Sequence, residues 1–435
     1  MMRDESTPDA AVQRPSSRKA KHVSQPPAPG TASSYRLVIE AAILLLQFSM
    51  GLSFMAVAPL FPPIMDAFHI DNATVSLLVG VTSLSVALAL VPASVLAARL
   101  GARSALIVGG VLMSATALSP LAGSFPLLLG TRAAFALGAA INLSATPAVI
   151  LRWFPPKEMA VVNGANVIAQ SLGVTLSMII GPRLVGTLGW SGALATFGVM
   201  AAGSTVLWVI LGRGGEGGHA DASFRMSDLR AVVGNRTVLL LSAGLAGALG
   251  AFISIQSWLP TFYNAQRGYS LEEAGAIGGL LSFFGIVGAL VGSTLPVRVP
   301  QRRPFLIAGG VGIPLFAAGA ILFDQPVLYV ALLLLGIAGW IFMPVVFTIP
   351  MEIPGMTGAR VGIAVALVLG AGNLAGFFVP LMVGTLRDLT GSFTLGLALA
   401  CGLAPLMALC ALAMPETGPV GARAHRRVEV PARSR

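Results

Sequence analysis

One basic residue, Arg132, lies well inside a long apolar stretch, 126–150. It stands about six residues from one end of that stretch, roughly 9 Å along a helix. A guanidinium at such depth in a bilayer costs on the order of 2.5–3.5 kcal/mol by insertion scales, and marks a functional position by default. No Asp or Glu lies at a matching depth, since Glu40 falls near the opposite end of the first apolar stretch. A guanidinium facing a cavity without a counter-ion suits a carboxylate or another planar anion, which it grips through two parallel hydrogen bonds. Two other roles are open to it: gating or coupling, and bonding backbone carbonyls to shape a bundle.

Amides supply the second group of candidates. Asn163, Asn166, Gln170 and Ser177 recur at i, i+3, i+7 and i+14, which places them on one helix face. Lipid cannot satisfy an amide, so this face must meet protein or water. A cavity lining and a helix–helix contact both fit, and the four-residue spacing of Gly173, Ser177 and Gly181 favours close packing. Gln47, Asn142, Trp340 and Asn373 fall near mid-depth of other apolar stretches, while Gln256 and Trp258 lie nearer an end. Each has an ordinary alternative, an interhelical hydrogen bond for an amide or an interface anchor for Trp258.

Other chemistries find no residues to carry them. His22, His69, His219 and His425 all lie outside the apolar stretches. Cys401 and Cys410 share the last stretch in neither a metal-binding spacing nor a disulfide framework. No phosphate-cradling glycine loop with a following lysine occurs, which argues against ATP drive. Neither a metal nor a cofactor is expected, and an enzyme would need clustered carboxylates, histidines or a nucleophile–base pair. A coupling proton, if one moves, must ride on Glu40 or on the acid group of the substrate.

The elements that hold these residues are read from composition and charge. The 435-residue chain is 55% hydrophobic and 10% charged, with mean hydropathy +0.85. Soluble domains carry about a quarter charged residues. Here the lipid bilayer is the matching solvent. Apolar runs of about 20 residues, long enough to span it, recur at 37–60, 73–96, 104–123, 126–150, 160–182, 190–212, 237–259, 274–297, 304–323, 326–349, 361–385 and 393–413. These are taken as helices one to twelve. A polar arm (1–35), a glycine-rich central loop (213–236) and a tail (416–435) flank two six-helix bundles, 36–212 and 237–415.

Of the 27 Lys and Arg residues, Arg183, Arg267 and Arg387 fall on one side and Arg132 within a helix. All the others fall on the side that holds both termini. The positive-inside rule makes that side cytoplasmic, in the inner (plasma) membrane. The net charge of +10 is read as topology, not as a nucleic-acid surface. A monomer is expected.

The stretch 103–111, Arg-Ser-Ala-Leu-Ile-Val-Gly-Gly-Val, matches 303–311, Arg-Pro-Phe-Leu-Ile-Ala-Gly-Gly-Val. Both copies open the third helix of their half, as expected of two parallel repeats with a path between them.

The chain resembles the major facilitator superfamily over roughly residues 36–417. The mark is the loop between helices two and three, where Arg99, Gly101 and Arg103 match the family pattern, with Ser94 at its first glycine and Ala98 at its aspartate. Within the superfamily, the stretches 140–147 and 256–263 look like the cyanate and nitroimidazole transporter branch. The resemblance implies an all-α fold of twelve transmembrane helices in two pseudo-symmetric bundles. It implies a loop (Arg99, Gly101, Arg103) that helps lock one closed state. Its central path, lined by helices one, four, seven and ten, nominates Gln47, Arg132, Asn142, Gln256 and Trp340 as pocket residues. The function expected is secondary transport of small solutes by alternating access, with small organic anions as the expected substrates; the alternative is export of hydrophobic drugs or other toxic compounds.

Overall fold

The structure, a computed structural model, describes residues 35–155, 158–213 and 226–418. Most of the arm expected at 1–35, residues 214–225 of the central loop and the tail from 419 onward lie outside the described residues.

Helix one is Tyr35–Phe54, helix two Asn72–Leu100, helix three Ala102–Met113 and helix four Phe125–Trp153. Helices five and six form one stretch, Met159–Leu211, interrupted at Gly189. Helix seven is Arg236–Arg267, helix eight Leu271–Arg298 and helix nine Arg303–Leu322. Helix ten spans Val327–Glu352 with a turn after Trp340, helix eleven is Gly358–Thr390, and helix twelve spans Thr394–Ala413. Among the described residues, eleven stretches are long and apolar enough to cross a membrane, and the one at Val161–Leu211 consists of two helices joined at a kink, together long enough for two spans. Gly189 makes that kink, with φ of 69° and ψ of 172°, a conformation open to glycine because it lacks Cβ. The twelve-helix expectation stands.

Two boundaries are corrected. Helix one was expected to run unbroken over 37–60, but it stops at Phe54. The chain then turns, makes a short tight helix Ala58–Leu60 and a second helix Phe61–Phe68. Pro59, Pro62 and Pro63 explain the restart, since proline lacks an N–H and suits the first turn of a helix. Helix three was expected over 104–123, but from Ser114 to Leu121 it tightens into 3₁₀ geometry around Pro120.

Helix starts are capped where the chain leaves the bilayer. The Asp71 side chain accepts a hydrogen bond from the Thr74 N–H, and that bond holds its carboxyl below the usual range. Asn235 caps helix seven, Ser270 and Glu273 form a reciprocal capping box on helix eight, and Thr357 caps helix eleven. Near helix nine, Arg302 forks onto both carboxylate oxygens of Glu352 at 2.6–3.2 Å. That hydrogen-bonded carboxylate raises the Arg302 pKa further.

Lipid supplies no hydrophobic drive between helices, so the bundle relies on close backbone approach. Gly51 of helix one and Gly173 of helix five lie against each other's helix so closely that a Cβ on either would overlap the facing backbone. Gly109 and Gly138 join helices three and four in the same way, and Gly288 and Gly292 seat helix eight on helix ten.

The two halves meet at the end expected to lie outside. There the Asp388 carboxylate, in the last turn of helix eleven, accepts from the Asn72 N–H (3.1 Å), the Asn72 Nδ2 (2.7 Å) and the Ala73 N–H (2.7 Å) of helix two. Phe61 packs edge-on against Trp258 of helix seven, with ring centroids 5.1 Å apart. Gly275 and Gly279 of helix eight abut Met178, Pro182 and Ile179 of helix five. Helices two and eleven stay close from Gly384, beside Asn72, to Gly370, beside Ala87. Among the described residues, no cross-half hydrogen bond or ion pair joins the bundles at the arginine-rich end.

Candidate substrate path and gates

Arg132 is fully buried, held on helix four a little above the break in helix one. Its Nη1 donates to the Ser53 carbonyl at 2.7 Å and its Nη2 to the Phe54 carbonyl at 2.9 Å. A longer contact runs from Nε to the Leu78 carbonyl at 3.5 Å. The guanidinium also lies over the Phe135 ring, 4.9 Å from its centroid. Ser53 and Phe54 end helix one, where carbonyls lose their helical donors. Arg132 supplies those donors from another helix. Among the described residues no carboxylate pairs with it, so its positive charge is met by neutral oxygens only.

Glu40 is the counterpart at the other end of helix one. It is 9% exposed, and its Oε1 accepts from the Asn166 Nδ2 of helix five at 3.0 Å. The same Nδ2 donates to the Val162 carbonyl. Glu40 Oε2 and Asn166 Oδ1 are both buried without a partner.

The remaining nominated residues separate into three environments. Asn142 is completely buried, accepts from Thr146 at 2.9 Å and contacts the Met113 sulfur, which places it in the contact between helices three and four. Gln256 donates to Ser282 of helix eight at 2.7 Å, and Ser282 in turn meets Met178 of helix five across the halves. Gln47 is buried with its Oε1 unpartnered. Gln170 and Trp340 are half-buried, and Trp340 packs edge-on to Phe252. Asn373, also half-buried, returns its amide to the Leu369 carbonyl of its own helix. The helix-five stripe is therefore mixed: Asn163 is exposed, Asn166 bonds Glu40, and Ser177 bonds the Val174 carbonyl. Trp258 is not an interface anchor. It is fully buried and donates to the Pro380 carbonyl of helix eleven at 2.9 Å.

The loop between helices two and three turns at Gly101, whose φ is 76°. Arg103 Nη2 donates to the Val209 carbonyl at 3.0 Å, and the Arg103 carbonyl accepts from the Trp208 indole. Arg99 is exposed. Neither Asp388 nor Phe61 was singled out in the sequence. The signal for both was position, an acid and an aromatic beside the ends of helices from opposite halves.

The family model described as Major Facilitator Superfamily matches residues 43–380. The chain belongs to the major facilitator superfamily. It is a secondary transporter of small solutes and not an enzyme, as the family's members are transporters. The probable nitrate/nitrite transporter NarK2 of Mycobacterium tuberculosis is 26% identical over 85% of this chain and 94% of its own length. A probable sulfoacetate transporter of Cupriavidus necator is 22% identical over 73% and 79%. The 2-nitroimidazole transporter of Escherichia coli is 28% identical over 57% and 62%. Among solved structures, a bacterial homolog of the human lysosomal transporter Spinster superposes with a TM-score of 0.71, covering 92% of this chain and 99% of that one at 18% identity. That likeness bears on the fold, and it agrees with the two six-helix bundles of a facilitator.

Proposed function

We propose that this facilitator carries small anions across the inner membrane, with both termini in the cytoplasm, and that the conformation described is the inward-facing one. The observation that carries the anion reading is the charge of Arg132, buried in the hydrocarbon region and balanced by no carboxylate among the described residues. A cationic group in a low-dielectric path concentrates anions before any specific contact forms. Three of its five N–H donors are directed at carbonyls, which leaves donors for a solute once the halves rock apart. Gln47, Gln170, Trp340 and Asn373 would line the path beside it, and Gln256 would bridge toward the outer gate. Asn142 and Asn166 would support the bundle from its interior contacts. The inward-facing assignment rests on the charge distribution together with the cross-half contacts at Asp388 and Trp258. The names of the nitrate/nitrite and sulfoacetate relatives support the same substrate class.

The test is a thermal-shift series on purified protein with nitrate, sulfoacetate and a lipophilic cation. A ligand at a hundred times its Kd stabilises the native state by roughly 2.7 kcal/mol. Stabilisation by an anion, and loss of that shift in Arg132→Gln, is the expected result. Stabilisation by the lipophilic cation alone would replace the anion reading with the drug-export one.

A further inference from the structure

Two buried oxygens without donors sit on one pair of side chains. Glu40 Oε1 takes the Asn166 amide hydrogen at 3.0 Å, while Glu40 Oε2 and Asn166 Oδ1 have no partner. Both side chains are more than nine-tenths buried. An ionised carboxylate only accepts, and so does an amide oxygen. Two such acceptors left bare in a bundle interior carry an unmet desolvation cost. A protonated carboxyl changes this, because its O–H is a donor. A carboxylic acid and a primary amide are complementary: the amide N–H goes to the acid carbonyl and the acid O–H returns to the amide oxygen. Half of that ring is in place.

The charges around the pair leave the acid without a counter-ion. Arg36, one turn earlier on helix one, is bonded to Glu158, the residue just before helix five, at 3.1 Å. Tyr35 donates to the Leu211 carbonyl, and Arg213 lies over the Tyr35 ring. On the neighbouring elements, Arg103 is directed at Val209, and Arg152 closes helix four. Among the described residues none of these forms an ion pair with Glu40.

We propose that Glu40 and Asn166 form a proton-binding site between helices one and five, in which a proton taken up from the cytoplasmic side resides on Glu40 Oε2 and is returned there or passed onward as the halves move. The site deepens the transporter reading, since it gives the anion's movement a proton to travel with. The proton comes from hydronium in the cytoplasmic water: one O–H bond of that ion breaks, one O–H bond forms at Glu40 Oε2, and a water molecule is left, with no change of oxidation state.

Infrared difference spectroscopy on the purified protein, between about pH 5 and about pH 8, reads the carboxyl C=O band directly and needs no substrate. The wild type should show a protonated-carboxyl band that disappears as pH rises. Glu40→Gln, whose amide reproduces the completed ring, should lack that band and keep the wild-type melting temperature. Asn166→Ala should shift the band's frequency by removing its hydrogen-bond partner. Identical difference spectra in wild type and Glu40→Gln would overturn the site. Nitrate flux in proteoliposomes supplies the second arm: Glu40→Gln should retain nitrate exchange and lose acceleration by a pH gradient. Equal acceleration in both proteins would also overturn it. If neither protein moves nitrate, the substrate reading fails, and the infrared result still decides the proton site.

Discussion

The Asp388 carboxylate, near the end of helix eleven, sits on the first turn of helix two and accepts the Ala73 N–H at 2.7 Å. Helix two begins with unsatisfied N–H groups and a partial positive charge, and the acid that meets them comes from the other half of the molecule. The contact is a latch, because it exists only while the two bundles touch at that end. Replacing Asp388 by Ala removes three hydrogen bonds. The site is exposed, so the loss is discounted to about 1 kcal/mol, roughly a five-fold shift toward the opened state. Thr261, buried on helix seven near the closed end, reports it. A Thr261→Cys variant, with Cys401 and Cys410 replaced by Ser, should react faster with an impermeant maleimide from outside when Asp388→Ala is added. Equal rates would mean the latch does not hold the end shut.

Arg132 gives a separable prediction about stability. Arg132→Gln leaves the Ser53 and Phe54 carbonyls without their donors, at about 1–3 kcal/mol for each buried group. Arg132→Lys keeps the charge but loses the fork, so it should retain one carbonyl contact and bind anions more weakly. The melting temperature in detergent should fall in the order Arg, Lys, Gln. A Gln variant as stable as wild type would show that the helix-one break does not depend on this residue.

Much of the fold was legible because its signals are local. Length, charge asymmetry and the matching stretches 103–111 and 303–311 mark the spans and the repeat. The break after Phe54 was missed because the residues around it remain apolar, and only the prolines that follow hint at a restart. The partners of Arg132 were missed for the same reason: they are backbone carbonyls freed by that break, and sequence shows side chains only. Asn166 was singled out by its spacing on helix five, but its pairing with Glu40 depends on how deep helices one and five interlock at Gly51 and Gly173. Asn142 illustrates the limit of depth alone, since rotation about helix four turns it toward helix three.

The helix-one to helix-five contact yields a paired test. Gly51→Val places carbon where the Gln170 carbonyl already lies, and overpacking of this kind costs typically about 1–3 kcal/mol. Gly164→Ala, in the same helix five but with open space around its Cβ position, should be neutral or stabilising by about 0.4–1 kcal/mol. Melting temperatures that move together in the two variants would contradict the close approach.

The loop between helices two and three separates its two arginines. Arg103 bonds the Val209 carbonyl, so Arg103→Ala should lower stability by about 0.5–1.5 kcal/mol. Arg99 is exposed in this state. Arg99→Ala should leave the melting temperature unchanged and lower turnover, if the loop locks the opposite, cytoplasm-closed state. Unchanged turnover would mean that Ala98, standing where the family pattern has an acid, has removed the lock.

Counter-flow in proteoliposomes tests the central claim most directly. Vesicles holding the purified protein are loaded with unlabelled nitrate and diluted into a trace of labelled nitrate. A facilitator of small anions should show a transient accumulation of label that wild-type protein supports and Arg132→Gln, reconstituted in the same amount, does not. Accumulation of a labelled lipophilic cation under matching conditions, with none for nitrate or sulfoacetate, would contradict it.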